Sequence, residues 1–358
     1  MNPSPHTVFA ATGSYIPETI IDNQHFLDHE FFEKDGTKAL KDNATIVKKF
    51  SEITEIERRC YAKTDQSASD LGYLAAIDAL ESADIDPETL DYIIVAHNFG
   101  DIAAGTNRID IVPTLASRIK HRLLIKNPDC VAYDLPFGCP GWVEAVIQAT
   151  YYIRSGDAQR CLVIGTETIS RITDPHDRDS MIYADGAGAV ILEASNEHKG
   201  VLAHKTQSHT LEHAMLLNMG PSYKQDIIPD DNRYIKMNGR KLYEFALTQV
   251  PVVVKAAIDK AGLDITDISK VLIHQANGKM DQAILSRLFK LYGVNEIPEG
   301  IMPMTISWLG NSSVATVPTL LDLILKGKFE NQAINAGDRI VLASVGAGMN
   351  INAIVYQF

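Results

Sequence analysis

The stretch ALESADIDPETLDYIIVA (79–96) aligns without gaps on AIDKAGLDITDISKVLIH (257–274). Helix, Asp-containing turn and apolar run fall in register, with Ala79/Ala257, Ala83/Ala261 and Asp86/Asp264 identical. A second echo, GDAQRCLVIG (156–165) against GDRIVLA (337–343), follows in the same order. Self-similarity in matching order is the mark of a duplicated architecture. Each unit ends in a continuous β-branched run such as YIIVA (92–96), the pattern of a strand buried on both faces. Strands alternating with helices predict an α/β chain with a mostly parallel sheet.

Working outward, strands are expected at 7–13, 161–165, 184–193, 201–204, 271–274, 339–344 and 351–356. Helices are expected at 67–82, 113–125, from Cys139 to about Arg154, and at 239–261 and 279–292, with a last one from Leu309-Gly310-Asn311 through Leu325. Residues 24–50 read as short helices and loops, 174–181 as a polar loop, and the stretch up to Tyr234 as irregular. A polar cluster, SNEHKG (195–200), places a boundary between an N-terminal half, 1–198, and a C-terminal half, 199–358.

Composition bounds the function. Hydrophobic content of 46% and charged content of 22% are those of an ordinary globular protein, long enough to need no staples. The net charge of −12 argues against nucleic acid, which requires a basic face. Four cysteines (Cys60, Cys130, Cys139, Cys161) show no zinc-like spacing, so neither a metal nor another cofactor is expected. With no secretory pattern and no long apolar run, the expected setting is the reducing cytoplasm, away from membranes.

Chemistry-bearing residues gather at element ends. In DLPFGCPGW (134–142) a turn at Phe137-Gly138 precedes Cys139, and Pro140 opens a helical pattern. A helix N-terminus favours a thiolate, although a small buried cysteine explains the residue equally well. His274 follows a buried strand, and Asn311 opens the helix that matches the Cys139 helix in the second half. Alone, these two read as a core histidine and a helix cap. Carboxyl ends of strands in open α/β sheets are nonetheless where ligands bind. The glycine run ADGAGAV (184–190) leads into a strand rather than a helix, which disfavours a nicotinamide site.

Seven segments in order resemble the β-ketoacyl-acyl carrier protein synthase III family of the thiolase superfamily: ATGSYIPE (11–18), the D-x-x-x-x-C-x-G pattern around Cys139, DPHDR (174–178), ADGAGAVIL (184–192), HQAN (274–277), GNSSVATVP (310–318) and GAGMN (346–350). The resemblance implies a thiolase-like duplicated fold, with two pseudo-repeated α/β halves in layered α-β-α-β-α packing, and a homodimer. It makes Cys139 the nucleophile that accepts an acyl primer as a thioester. His274 and Asn311 would bind the carbonyl of malonyl-acyl carrier protein during decarboxylative Claisen condensation, in fatty-acid or specialised lipid or polyketide biosynthesis. The oxyanion hole is expected from the backbone N–H groups of Cys139 and Gly348.

The same resemblance assigns substrate or carrier contacts to Arg178, Lys279, Val112 and Asn277. Arg178 matches an adenine-side arginine and Lys279 the carrier-docking position. Val112, before Pro113, stands where a bulky residue gates primer length across the dimer interface, so a primer longer than acetyl is expected. The family's early Trp–Arg pair for coenzyme A is missing around 53–59, which favours a carrier-bound donor over a coenzyme A thioester. Thiolases need a second cysteine late in the chain, and none follows Cys161. The elongating synthases carry a second histidine where Asn311 stands. Type III polyketide synthases share Cys-His-Asn. An acyltransferase without decarboxylation, or a pyrone- or resorcinol-type enzyme joining longer acyl chains, is the alternative.

Overall fold

The computed structural model describes residues 5–224 and 232–358. Two sheets carry the chain. The first runs, from edge to edge, His6–Tyr15, Asp185–Ser195, Arg160–Thr168, Tyr92–Ala96 and Val131–Leu135; the second runs Gly200–Ser208, Asn350–Gln357, Arg339–Gly346 and Lys270–Ile273. Pairing along each sheet is antiparallel, antiparallel, then parallel, so the sheets are mixed rather than mostly parallel as expected, and the second repeats the first four strands of the first in kind and order. The repeat read from residues 79–96 and 257–274 ends on equivalent parallel strands, Tyr92–Ala96 and Lys270–Ile273.

The conserved letters of that repeat have a local cause. Asp86 caps a short 3-10 turn by accepting from the Glu88 N–H, and Asp264 does the same for the Thr266 N–H. Each aspartate therefore stops a helix-to-strand connection from unravelling. Upstream, Ser67 and Asp70 form a capping box that starts the Ala68–Ser82 helix.

Alternation within the strands divides the core into layers. Ile93 and Val95 face the helices Ala68–Ser82 and Leu115–Arg122, whereas Ile94 and Ala96 face the opposite way, onto the Gly141–Ser155 helix. In the second sheet Val341, Ala343 and Val355 pack on the Gly239–Lys260 and Gly278–Leu291 helices; Ile340, Leu342 and Ile354 face inward. Between the sheets lie Gly141–Ser155 and Thr316–Leu325, whose Trp142, Val146, Val317 and Leu320 share one core with both sheets. The result is the five-layer α-β-α-β-α sandwich, with a strand-lined helix from each half at its centre.

Elsewhere the structure adds detail to the sequence reading. The 24–50 region holds a short 3-10 helix, Asn23–Asp28, and a true helix, Asn43–Thr54. The stretch read as irregular contains a hairpin, Leu217–Gly220 with Tyr234–Met237; its residues 225–231 lie outside the described residues. The last expected helix starts later than the glycine turn, at Thr316, and a short helix precedes that turn. Ile306–Leu309 and Thr316–Leu325 are separated by an extended bridge at Asn311 and a 3-10 turn. Among the described residues no helix is long and apolar enough to cross a membrane.

Candidate active site

The strand Val131–Leu135 ends four residues before the cysteine, and the chain then turns through Gly138 at φ 68°. Gly310, its counterpart in the second half, has φ 70°. Both are positive-φ positions that a side chain would strain, although a 3-10 turn separates Gly310 from its helix and nothing comparable follows Gly138. Pro140 is the N-cap and the helix proper begins at Gly141, one residue later than the sequence pattern placed it. Gly346 lets the second sheet press on this turn: a Cβ there would lie 2.6 Å from the Cys139 nitrogen.

A helix start should lower the thiol pKa, and here it does not prevail. Burial pushes the Cys139 thiol up to about 11; the Ser313 hydroxyl pulls it down and the carboxylate of Glu167 adds to the rise. Desolvation of an anion outweighs a partial dipole at the end of a helix. The resting cysteine is therefore a protonated thiol that needs help to ionise.

His274 follows the Lys270–Ile273 strand, pinned by its main-chain N–H donating to Ala343 O at 2.9 Å. It is 3% exposed, its Nδ1 has no hydrogen-bond partner, and burial lowers its pKa to about 4 against a weaker pull from the Ser313 main chain. The ring is a neutral imidazole, and the residue lines the wall of a cavity. Buried Gln275 fixes the loop: its Nε2 donates to Pro303 O at 3.0 Å, and its Oε1 accepts from Thr305 and Ile306 at 2.8 and 3.0 Å.

Asn311 is held by its backbone, which donates to Ile182 O at 3.0 Å and accepts from Ala184 N–H at 2.8 Å. Its Oδ1 accepts from the Ser313 N–H at 2.8 Å. The amide orientation follows from that donor, and Nδ2 is left for the cavity that Asn311 lines. Ser313 itself sits at φ 55°, a costly backbone for a serine. From there one residue reaches three others. Its Oγ donates to Cys139 Sγ at 3.1 Å, its N–H holds Asn311, and its main chain faces the His274 ring. Sequence reading quoted Ser313 within GNSSVATVP without giving it a role. Two further groups were missed. Asn98 donates to Ser313 Oγ at 2.9 Å and to buried Glu167, whose carboxyl burial raises to about 7. A carboxylate at the end of the apolar run CLVIGTE (161–167) is the signal that could have found it.

Cys139, His274 and Asn311 open together into a cavity of about 960 Å³ with a largely apolar wall that includes Phe50, Ile182, Leu217, Ile235, Met237 and Leu242. The remaining expected residues divide. Arg178 lies on this cavity, but its guanidinium pairs with Glu33 at 3.2 Å. Asn277 also lines it, with Oδ1 occupied in capping the next helix through the Met280 N–H at 3.0 Å. Lys279 is exposed on the first turn of that helix and outside the cavity wall. Val112 is 81% exposed and does not line the cavity of its own chain. Around the expected glycine donor, Gly346, Ala347 and Met349 line the cavity and Gly348 does not. Its Cα faces Asn350, where a Cβ would lie 2.4 Å from the side-chain nitrogen. It is the Ala347 main chain that abuts the cysteine turn, its nitrogen 2.9 Å from where a Gly138 Cβ would stand.

A buried thiol, a neutral imidazole and an amide at the seam of a duplicated five-layer sandwich define a thiolase-fold condensing enzyme. The comparisons make this specific. Family models for 3-oxoacyl-[acyl-carrier-protein] synthase III match residues 133–210 and, for its C-terminal part, 258–358. The chain is 31% identical over 347 residues to a β-ketoacyl-[acyl-carrier-protein] synthase III of Staphylococcus aureus, covering 97% of each. A synthase III structure from Thermus thermophilus superposes with a TM-score of 0.79 at 28% identity, over 98% of this chain and 99% of that one. The priming β-ketosynthase of the R1128 polyketide pathway shares the fold, with a TM-score of 0.80 at 23% identity over 100% and 98%. The chain belongs to the β-ketoacyl-[acyl-carrier-protein] synthase III family.

Proposed function

We propose that this protein condenses an acyl primer with malonyl-acyl carrier protein. Cys139 sulfur attacks the primer thioester, and the carrier thiol leaves with the thiol proton, giving acyl-Cys139. Malonyl then loses CO₂; the electron pair of the broken C–C bond becomes an enolate, whose oxygen is met by a His274 ring nitrogen and Asn311 Nδ2. The enolate carbon attacks the acyl-Cys139 carbonyl. The resulting oxyanion takes the backbone N–H groups of Cys139 and Ala347, and collapse expels the Cys139 thiolate and releases a β-ketoacyl thioester. The single observation that carries this reading is Ser313, which touches the sulfur and holds Asn311, with its main chain against the His274 ring, at the head of one cavity.

The acyl donor is longer than acetyl, because a two-carbon group would leave most of a 960 Å³ apolar cavity unfilled. A carrier-bound donor suits the mouth better than coenzyme A, since Glu33 already neutralises Arg178. Exposed Lys279 would meet an acidic carrier, and exposed Ile109, Ile111 and Val112 would meet a second copy of the chain. The two halves, 1–198 and 199–358, act as one unit in the cytoplasm. The same cavity volume favours one alternative, a condensation joining two longer acyl chains toward a pyrone- or resorcinol-type product.

Intact mass spectrometry with a panel of acyl carrier and coenzyme A donors, followed by malonyl-carrier and CO₂ detection, tests the reading. A medium-chain adduct that malonyl-carrier discharges with CO₂ release is expected. Acylation by acetyl alone removes the long primer; equal adducts on wild type and Cys139→Ala remove the mechanism.

A further inference from the structure

Four side chains stand in a line that ends at the sulfur. Glu167 Oε1 accepts from both the Asn98 main-chain N–H, at 2.8 Å, and Asn98 Nδ2, at 2.5 Å. The second Nδ2 hydrogen goes to Ser313 Oγ at 2.9 Å, and Ser313 Oγ donates to Cys139 Sγ at 3.1 Å. A side-chain amide has two N–H donors, and both are used. A hydroxyl has one hydrogen; with an incoming donor on its oxygen, that hydrogen is free for one direction only, the sulfur.

The loop carrying Asn98 is itself fixed. His97 Nδ1 accepts the Gly100 N–H at 3.0 Å, so its Nε2 keeps the proton and donates to Asp134 at 2.9 Å. Asp134 in turn accepts the N–H groups of Leu115 and Ala116, both at 2.8 Å. Neither His97 nor Asn98 can rotate without breaking several buried bonds.

We propose that Asn98, anchored by Glu167, is a positioning residue that forces the Ser313 hydroxyl to donate to Cys139 and thereby lowers the cost of forming the thiolate. This rests on Cys139 being the nucleophile. The line is not a proton wire, because an amide N–H does not exchange its proton on a catalytic path. Glu167 serves as an acceptor rather than a base, and an amide oxygen in its place would serve as well. Its charge works against the thiolate and its hydrogen bonds work for it.

That opposition makes the roles separable. The reactivity of Cys139 toward iodoacetamide, followed by intact mass across a pH series, reports the sulfur alone. Ser313→Ala and Asn98→Leu should each raise the alkylation midpoint by about one unit, which is about tenfold slower reaction below the midpoint. Because Asn98 acts through Ser313, the double variant should match Ser313→Ala, a non-additive cycle that a purely structural loss would not give. Glu167→Gln, which keeps the acceptor and removes the charge, should leave the midpoint at or below that of wild type. Should Asn98→Leu fail to fold, Asn98→Thr, which cannot reach both partners, carries the same expectation.

An unchanged midpoint in the Asn98 variant, additive shifts in the double variant, or a rise in Glu167→Gln overturns the proposal. The proposed function fails differently: wild type would alkylate at Cys139 yet accept no acyl group from any donor.

Discussion

The hydroxyl of Ser313 donates to the sulfur of Cys139 across 3.1 Å, joining residues 174 positions apart in the chain. That contact crosses the seam between the two repeated halves. Cys139, the proposed nucleophile, comes from the first half, and its hydrogen-bond donor Ser313, like the imidazole and the amide, comes from the second. Its first consequence is for the nucleophile. Cys139→Ala should lose covalent acylation entirely and lower condensation by roughly three orders of magnitude or more. Intact mass and product release measure the two separately.

Asn311 offers a cleaner dissection. Asn311→Asp keeps an oxygen for the Ser313 N–H, so the local turn persists. It replaces the Nδ2 donor with a second oxygen, which repels an enolate. Acylation of Cys139 should stay near wild type while malonyl decarboxylation falls by roughly 10²–10³-fold, the usual effect of one lost oxyanion donor. Equal loss in both half-reactions would show that Asn311 supports the fold instead.

His274 sets a pH dependence whose sign can be worked out. Burial lowers its folded pKa from 6.5 to about 4. Between those values the unfolded chain binds the proton and the folded chain does not, so stability falls as pH drops from 6.5 toward 4. The full effect is roughly 3 kcal/mol. His274→Asn should flatten that part of the stability curve in denaturant titrations. Single-turnover decarboxylation by the acylated wild type should hold its rate well below pH 6.5, with an acid limb set by the folded value.

The cavity wall makes a steric prediction. Ile235 and Met237 belong to the hairpin that borders the cavity. Met237→Trp should remove the longest acyl donors from the accepted range and spare short ones, read as a shift in the adduct series. If long and short donors are lost alike, the acyl chain does not lie against this wall.

Lys279 carries a positive charge on the first turn of its helix, where the dipole disfavours it. No ion pair among the described residues offsets it. Lys279→Glu should raise KM for malonyl-carrier several-fold, with a steep salt dependence in wild type that the variant loses. Turnover with a small malonyl thioester should be unaltered.

The duplication was legible because the two-faced strands and the Asp-capped connections repeat at the level of single residues; the five layers came from the resemblance, and the antiparallel pairs of both sheets were not visible in the pattern. Cys139, His274 and Asn311 stand at element ends, but alone they read as a small buried cysteine, a core histidine and a helix cap; the resemblance singled them out, and the structure brings them to one cavity. What escaped was whatever depended on contacts between distant segments. Ser313, Asn98 and Glu167 are ordinary polar residues until the halves close around them. The thiol pKa went the wrong way because a helix start shows in sequence, whereas the burial that outweighs it does not. Gly348 is expected for its lack of a side chain, whereas Ala347 is the neighbour that lines the cavity, and a backbone N–H serves equally well from an alanine.

The two central helices have one further implication, for how such a protein can change. Gly141–Ser155 and Thr316–Leu325 are locked between the sheets by a core drawn from both halves, so the reacting groups that sit at their starts cannot drift independently. Part of the cavity wall, by contrast, comes from peripheral pieces: the Asn43–Thr54 helix and the paired strands Leu217–Gly220 and Tyr234–Met237. Chemistry and substrate choice are thus carried by physically separate parts. Exchanging those two pieces between relatives, and leaving the Asn98 loop in place, should transplant a substrate range onto an untouched reaction centre, which makes the scaffold a chassis for recombination rather than for point-by-point redesign.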